Sequence, residues 1–177
     1  MSLKLDTTHS SLEFSVRHMG LATVKGRFGK FDVSAEVNDR GEPVAARVTI
    51  DASSIDTGVA DRDAHLRSPD FFDVATYPEI VFEATSFRRE GDEYVVEGQL
   101  TMHGVTQPVT LRGEINGPVK DPWGNDRFAA DLQGKVDRTA YGLKWNQVLE
   151  AGSLLVGEEV KLHAVVELVK VGEPVPS

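Results

Sequence analysis

The densest group of side chains that could do chemistry lies in one short segment. It contains Asp61, Asp63, His65, Asp70 and Asp73, whose carboxylates and imidazole are groups that bind metal ions or transfer protons. Their spacing does not match a calcium loop, whose ligands alternate around a glycine turn, or a pair of histidines one helical turn apart. We therefore interpret most of these groups as solvated charges on a short helix, and no metal site is predicted.

The other polar residues form no recognisable catalytic pattern. The five histidines are His9, His18, His65, His103 and His163, and no two are spaced locally as ligands. The chain has no Gly-x-Ser-x-Gly elbow for a serine nucleophile. Cysteine is absent, which excludes disulfides, thiolate metal sites and cysteine nucleophiles. No catalytic residue or cofactor is predicted.

His18, the helix aspartates and two arginines leave functional alternatives open. His18 ends an apolar strand face beside an apolar loop, so it could act as an acid or base, as could the helix aspartates. Arg62 and Arg67 flank the short helix and could hold an anionic group, although arginines there are often solvated or paired with neighbouring aspartates.

Composition narrows the classes of partner. The 177 residues are 40% hydrophobic, enough for one domain with a core, and carry a net charge of −9. This charge argues against nucleic acid binding and against simple adsorption to anionic membranes. No window approaches the ~18 apolar residues of a membrane span, and the N-terminus has no apolar signal region. The protein is expected to be cytoplasmic, or periplasmic if a leader has been removed.

A short helix should interrupt an otherwise extended chain. Asp61 is predicted to cap its N-terminus, and Pro69 should end it by keeping Ser68 out of the helical region. A helix of about two turns is not stable alone, so it must pack on something. Phe71 and Phe72 follow it, which predicts a lid or plug.

The rest of the chain alternates apolar and polar residues in about eight strands joined mostly by hairpins. Its longest loop is predicted from Asn116 to Asp126, a stretch that contains two glycines and two prolines. The apolar parity switches near Gly29, which predicts a bulge or sharp bend of the kind a closing sheet needs. We predict a single all-β domain over residues 1–171, an eight-stranded antiparallel barrel with one helix capping its lumen, and a frayed tail over 172–177. A two-sheet sandwich is the alternative.

The interior of such a barrel is either filled or holds one small ligand. A packed core is the simpler interpretation of these apolar stripes. A cavity is favoured by three apolar irregular stretches, at 19–22, 71–72 and 141–145. The predicted ligand-binding residues are Phe14, Val16, His18, Met19, Phe28, Val48, Ile50, Leu66, Phe71, Phe72, Phe82, Leu100, Met102, Leu132, Tyr141, Leu143 and Trp145.

A longer pattern covers almost the whole chain. It consists of His9-Ser10; Phe14, Val16 and His18; Gly26, Phe28 and Phe31; Ser54 to Thr57; Arg62-Asp63 with His65-Leu66; Ser68 to Asp73; Tyr77-Pro78 with Ile80 and Phe82; Gly98 with Leu100 to Thr106; and Arg138 with Tyr141-Gly142. With this pattern the chain resembles the YceI-like polyisoprenoid-binding family.

The resemblance implies an extended, lipocalin-like barrel whose lumen holds a long amphiphilic lipid, such as a polyprenyl chain, an isoprenoid quinone or a fatty amide. It implies no catalytic residues, frequent secretion to the periplasm and homodimers as a common form. The expected function is carriage or storage of such a lipid. An enzyme acting on an isoprenoid or fatty-acyl substrate, and a packed barrel serving as an interaction module, are the alternatives.

Overall fold

The described residues form a closed antiparallel barrel with one short helix. A computed structural model describes residues 1–144 and 156–170. The strands are β1 (Ser2–Leu5), β2 (Ser11–His18), β3 (Ala22–Phe28), β4 (Phe31–Val37), β5 (Pro43–Asp51), β6 (Ile55–Asp56), β7 (Glu79–Glu90), β8 (Glu93–Met102), β9 (Val105–Lys120), β10 (Asp126–Asp137) and β11 (Val156–Lys170). The helix is α1 (Ala60–Arg67), and three 3-10 turns cover Thr7–His9, Ala52–Ser54 and Arg138–Tyr141.

The barrel closes through the order β1-β4-β5-β7-β8-β9-β10-β11, with β11 pairing back onto β1. Strand β2 pairs with the other part of β11, β3 pairs with β2, and β6 pairs with β3. Strands β1 and β2, which follow each other in the chain, therefore pair with different parts of the same strand and occupy one position around the barrel. The eight-stranded antiparallel barrel and its single helix confirm the predicted fold class.

The parity switch near Gly29 is a break between two strands. Strand β3 ends at Phe28 and β4 begins at Phe31. Across the break, the Gly29 N–H donates to the Ser54 carbonyl at 3.1 Å and the Asp51 N–H donates to the Lys30 carbonyl at 3.0 Å. The predicted bend is confirmed, and it lets one chain segment pair with both β2 and β1.

Two local predictions are wrong. The N-cap of α1 is Val59, which makes no side-chain cap hydrogen bond, and Asp61 lies in the first turn. The stretch from Asn116 to Asp126, predicted as a long loop, is mostly strand, because β9 continues to Lys120 and pairs with β10. Pro69 does end the helix: Ser68 is its C-cap in extended conformation.

The interior has two hydrophobic clusters, one in each half of the barrel. The far half is built from β1, β4, β10 and β11, with Leu3, Val33 and Phe128 in its core. The mouth half lies beneath α1, with Ile80, Leu100 and Met102 in its core. No helix in the described ranges is long and apolar enough to cross a membrane. The proposed division at residue 171 stays a prediction, because 171–177 lie outside the described residues.

Candidate functional site

The mouth half encloses an apolar chamber of about 150 Å³. Its lining residues come from the strand walls, from α1 and from the chain that follows α1. They are Phe14, Val16, Phe28, Ile50, Ile55, Leu66, Phe71, Phe72, Ile80, Leu100, Met102, Val136, Arg138, Leu143, Val156, Val160 and Leu162. All of these except Arg138 are apolar. A chamber of this character stays dry and binds apolar guests.

Aromatic rings form one side of the mouth chamber. The Phe14 and Phe28 ring centroids are 5.5 Å apart, and Phe72 meets Phe28 edge to face at 6.2 Å. Strands β2 and β3 position the first two rings, because Phe14 is paired with Gly26 in the ladder. A side chain at Gly26 would overlap the Phe14 ring. Glycine at this position therefore allows the ring to lie flat against β3.

The lid over the mouth chamber is α1 with the turn that follows it. Asp63 is buried, and its Oδ1 accepts hydrogen bonds from the Thr57 N–H at 2.9 Å and the Thr57 hydroxyl at 2.5 Å. Arg62 donates from Nε to that hydroxyl and from a terminal nitrogen to the Thr57 carbonyl, both at 2.7 Å. These bonds tie the helix to β6. Leu66, Phe71 and Phe72 then point their apolar side chains into the chamber.

Arg138 is a buried cation in the wall of the mouth chamber, with 4% of its surface exposed. Its guanidinium donates to the carbonyl oxygens of Leu143, Val156 and Gly157 at 2.7, 3.1 and 2.8 Å. It also lies 5.7 Å from the centroid of the Phe71 ring. Burial lowers the pKa of Arg138, an effect that Glu158 and Asp137 oppose. These bonds hold the 138–143 turn against the start of β11.

An entrance cavity of about 200 Å³ adjoins the mouth chamber. It lies between the β2–β3 hairpin, which contributes His18 and Val24, and the lid, which contributes Arg62 and His65. The two spaces share lining residues, which are Phe14, Val16, Leu66, Phe71 and Val156. The gap between the hairpin and α1 therefore leads from solvent to side chains that also line the chamber.

A second apolar chamber of about 110 Å³ lies in the far half. Small residues, among them Ala46, Ala84 and Ala130, alternate there with Phe82 and Phe128. On four strands, neighbouring inward positions line different chambers, namely Leu12 and Phe14, Val48 and Ile50, Phe82 and Ile80, and Ala164 and Leu162. The lumen is thus divided into two chambers, and the division lies between the two members of each pair.

The structure places most of the sequence-predicted lumen residues along this interior. The mouth chamber contains Phe14, Val16, Phe28, Ile50, Leu66, Phe71, Phe72, Leu100, Met102 and Leu143, and the far chamber contains Val48, Phe82 and Leu132. His18 lines the entrance cavity, and Met19 lies exposed in the β2–β3 turn. Trp145 lies outside the described residues. That any of these residues contacts a ligand stays a prediction.

Tyr141 is fully buried and belongs to the packed cluster of the mouth half. Its backbone carbonyl lies 3.0 Å from His103 Nδ1, which joins the 138–141 turn to the β8–β9 turn. Burial raises the pKa of the Tyr141 hydroxyl to about 12. This tyrosine is therefore neutral under ordinary conditions and supports the wall of the chamber.

The role of Arg138 does not follow from the sequence, in which it appears only as part of a motif. A cation just after a strand usually faces water, so its burial was not predicted. The signal that could have found it is the neighbouring Tyr141-Gly142, which predicts a tight turn whose carbonyl groups need donors.

The polar cluster around α1 does not assemble into a metal site. Asp63 binds Thr57, and His65 Nε2 lies 2.9 Å from Asp70 Oδ2, at the edge of the Phe71 ring. A different group at the far end brings Asp6, His9 and Glu167 within 4.8 Å of one another. Arg127 occupies that group, donating to Asp6 at 2.8 Å and to Glu167 at 3.2 Å.

Arg127 also donates to Asp121, at 2.8 Å. Its bonds to Asp6 and Glu167 join β10 to the N-terminal segment and to β11. Burial raises the pKa of Asp121, but hydrogen bonds from Arg127 and from the Asn125 and Trp123 N–H groups outweigh it and hold the pKa at about 2. Hydrogen bonds from Thr8, then His9 and Arg127, hold the pKa of Asp6 well below its usual range.

Comparison with known proteins agrees with this architecture. The sequence model of the YceI-like domain matches residues 3–168. The chain is 38% identical to Protein YceI of Escherichia coli O157:H7 over 138 residues, which is 77% of this chain and 72% of that protein. It is 39% identical over 137 residues, 77% of this chain and 71% of that protein, to UPF0312 protein plu2095 of Photorhabdus laumondii.

Solved structures share the fold at lower identity. BcnA of Burkholderia cenocepacia superposes with a TM-score of 0.79 at 21% identity, covering 92% of this chain and 98% of that one. A polyisoprenoid binding domain from Saccharophagus degradans, implicated in plant cell wall breakdown, gives a TM-score of 0.68 at 19% identity over 94% of this chain and 97% of that one. The match over residues 3–168 and the identity to its named relatives show that this chain belongs to the YceI-like family.

Proposed function

We propose that this protein binds a long-chain amphiphilic lipid, such as a polyisoprenoid or an isoprenoid quinone, in its lumen and carries or stores it. The observation that supports this most directly is the mouth chamber, whose described lining is apolar except for Arg138 and which adjoins an entrance cavity. The fold neighbour from Saccharophagus degradans, which is named a polyisoprenoid binding domain, supports the same class of ligand.

The energetics suit a ligand held by its tail. Burial of hydrocarbon contributes about 0.8 kcal/mol per CH₂ group. Ordering a flexible chain costs part of that, so affinity should grow slowly with chain length and selectivity for length should be loose. A polar head group would remain near the entrance cavity, beside His18, Arg62 and His65.

A long chain must occupy both chambers. A cavity of about 150 Å³ holds a guest the size of benzene. The rings of Phe14 and Phe82 lie next to the division between the chambers, flat against Gly26 and Gly98 respectively. Rotation of these rings would join the two spaces, and a lipid would stabilise the joined state by filling it.

Binding is favoured over catalysis by what lines the entrance. General acid–base chemistry at His18 needs a group that orients the imidazole or completes proton transfer. Among the described lining residues, the neighbours of His18 are arginine, histidine, threonine and apolar side chains, without a carboxylate. An interaction module with a filled lumen stays the alternative prediction, and the extraction experiment below decides between the two. Homodimer formation and cellular location stay predictions.

The test is to denature the purified protein, extract it with organic solvent and identify the extract by mass spectrometry. We expect about one long-chain lipid per chain. Leu100→Asp, which places a carboxylate in the mouth chamber, should abolish retention, while Gln99→Asp, one residue away on the exposed face of β8, should retain it.

Because Leu100→Asp could fail to fold, a second variant fills the chamber with apolar atoms. Val16→Trp should reduce retention while the barrel stays folded by circular dichroism, since overpacking typically costs about 1–3 kcal/mol. Extracts without lipid, combined with no uptake of added polyprenol or quinone, would refute the proposal. Retention by a folded Leu100→Asp variant would refute the assigned lumen.

A further inference from the structure

The β2–β3 hairpin lies at the entrance, and one of its edges pairs over only two of the described residues. Along its whole length β3 pairs with β2, from Ala22 opposite His18 to Phe28 opposite Leu12. On the other edge of β3, the pairing with β6 covers only Arg27 and Phe28 among the described residues. Strand β2 is held to β11 up to His18, which lies opposite Val156. The turn at the tip therefore extends beyond the last paired residues, beside the entrance cavity.

The turn at the tip carries a residue that its backbone disfavours. Met19 and Gly20 have φ angles of 56° and 69°, and the Leu21 N–H donates to the His18 carbonyl at 3.1 Å. Two-residue turns of this type favour asparagine, aspartate and glycine, because other side chains are strained at positive φ. Methionine here is unfavourable for the turn, so its side chain requires another explanation.

The matching turn between β8 and β9 shows what such an explanation looks like. His103 also has a positive φ, of 55°, but its ring lies 3.0 Å from the Tyr141 carbonyl and packs against Tyr77. Met19, in contrast, is 42% exposed, and Leu21 beside it is 81% exposed. The tip thus presents two large apolar side chains to the surroundings.

The charge of the hairpin is opposite to that of the chain. The two strands and their turn, residues 11–28, contain Arg17, Lys25 and Arg27 against a single carboxylate, Glu13, and so are net positive, whereas the whole chain has a net charge of −9. Arg17 and Lys25 are exposed. Lys25 lies on the outer face of the hairpin, because its neighbour Val24 faces the entrance cavity, whereas Arg17 also lines that cavity. Arg27 pairs with Asp56 at 3.5 Å.

We propose that the β2–β3 hairpin docks this protein on an anionic lipid bilayer, with its entrance facing the membrane. Met19 and Leu21 insert into the interfacial region while Arg17 and Lys25 contact acidic head groups. The net charge of −9 does not prevent this, because charges beyond the Debye length of about 8 Å are screened at physiological salt. A lipid tail leaving the bilayer then meets the gap between the hairpin and α1.

The opposite end of the barrel provides a matched control. Val119 and Trp123 are 67% and 79% exposed in and beside the β9–β10 turn. The cations beside them are paired with carboxylates, Lys120 with Asp126 and Arg127 with Asp121. This end has comparable apolar exposure without an excess of positive charge, so it should not dock.

Docking is measured by flotation of the full-length, delipidated protein with phosphatidylcholine vesicles, with and without phosphatidylglycerol. The double variant Met19→Asn/Leu21→Ser should bind the anionic vesicles about tenfold more weakly. It should fold at least as well as the parent, because Asn-Gly is the preferred turn sequence. Val119→Ser/Trp123→Ser should bind as the parent does.

The electrostatic part has its own variant. Arg17→Gln/Lys25→Gln should lose about tenfold in binding to the anionic vesicles and nothing on pure phosphatidylcholine. Absence of binding by the parent protein, equal binding to the two vesicle types, or an equal loss from the far-end variant would each overturn the proposal. The purpose of docking depends on the proposed lipid-binding function. Docking is scored without any lumen ligand, whereas lumen binding is scored by extraction, so the two can fail separately.

Discussion

The two ends of this barrel are closed by different kinds of chain. At the far end, β1 pairs with both β4 and β11, and Arg127 joins the strands through three carboxylates. At the mouth, the cover is α1, the turn after it and the 138–143 turn, attached by side chains such as Asp63 and Arg138. Backbone ladders open together, whereas side-chain attachments can open locally. The far end of the barrel is therefore the more stable one, and the mouth is the end that can open.

Core truncations should show this contrast with the largest effect. Phe128→Ala, at a buried position of the far half, should cost about 3–5 kcal/mol of unfolding free energy. Phe72→Ala, at a half-buried position of the lid, should cost about 1–2 kcal/mol. Urea denaturation of delipidated protein measures both, because a bound lipid would stabilise the folded state unequally. Equal losses would mean that the lid belongs to the same cooperative core.

The two arginines provide the second contrast. Arg138→Met removes the donors of three buried or partly buried carbonyl groups, each worth about 1–3 kcal/mol when left without a partner, so a loss of about 3 kcal/mol is expected. Arg127→Met should cost less, because Asp121 keeps hydrogen bonds from the Trp123 and Asn125 N–H groups and Asp6 keeps those from Thr8. Urea midpoints of the two variants at neutral pH check the order. A larger loss for Arg127→Met would place the critical cation at the far end.

The strand pattern and the bend were predictable because they depend on local rules. Alternation over residues 12–18 defines an inward face whichever strands lie beside it, and the parity switch at Gly29 is visible in one dimension. Pro69 ends the helix through its effect on Ser68 alone. These features follow from neighbours in sequence, and the structure reproduces them.

The features that were missed depend on partners distant in the fold. Asp63 binds Thr57 only because β6 brings that threonine beside α1, so the sequence pointed instead to Asp61 as the cap. The stretch from Asn116 to Asp126 has the glycines and prolines of a loop, yet pairing with β10 keeps residues 116–120 extended. The division of the lumen depends on how Phe14 lies against Gly26, which no pattern of inward positions determines.

The lid should control the rate of lipid release. Phe71→Ser removes a buried ring that covers the mouth chamber and contacts the edge of His65, so the lid should open more often. Release of a preloaded fluorescent polyprenol to acceptor vesicles should accelerate about tenfold, equivalent to the loss of roughly 1.4 kcal/mol of lid closure. The matched far-half change Leu3→Ala should leave the release rate of folded protein unchanged. An unchanged rate for Phe71→Ser would remove the lid role from this segment.

Acid should weaken the far end, through a smaller effect. The pKa of Asp121 is about 2 in the folded protein against an ordinary value of 3.8, and that of Asp6 is also lowered. A carboxyl group whose pKa is lowered on folding stabilises the protein above its unfolded pKa, and this stabilisation is lost as pH falls toward the folded value. The urea midpoint should therefore decline between about pH 4 and pH 2.

Arg127→Met should flatten that decline, because it removes a shared cause of the lowered pKa values of Asp121 and Asp6. Arg62→Met at the lid should leave the decline unchanged, because Arg62 donates to Thr57. A decline that persists unaltered in Arg127→Met would assign the acid sensitivity to carboxylates outside the far end.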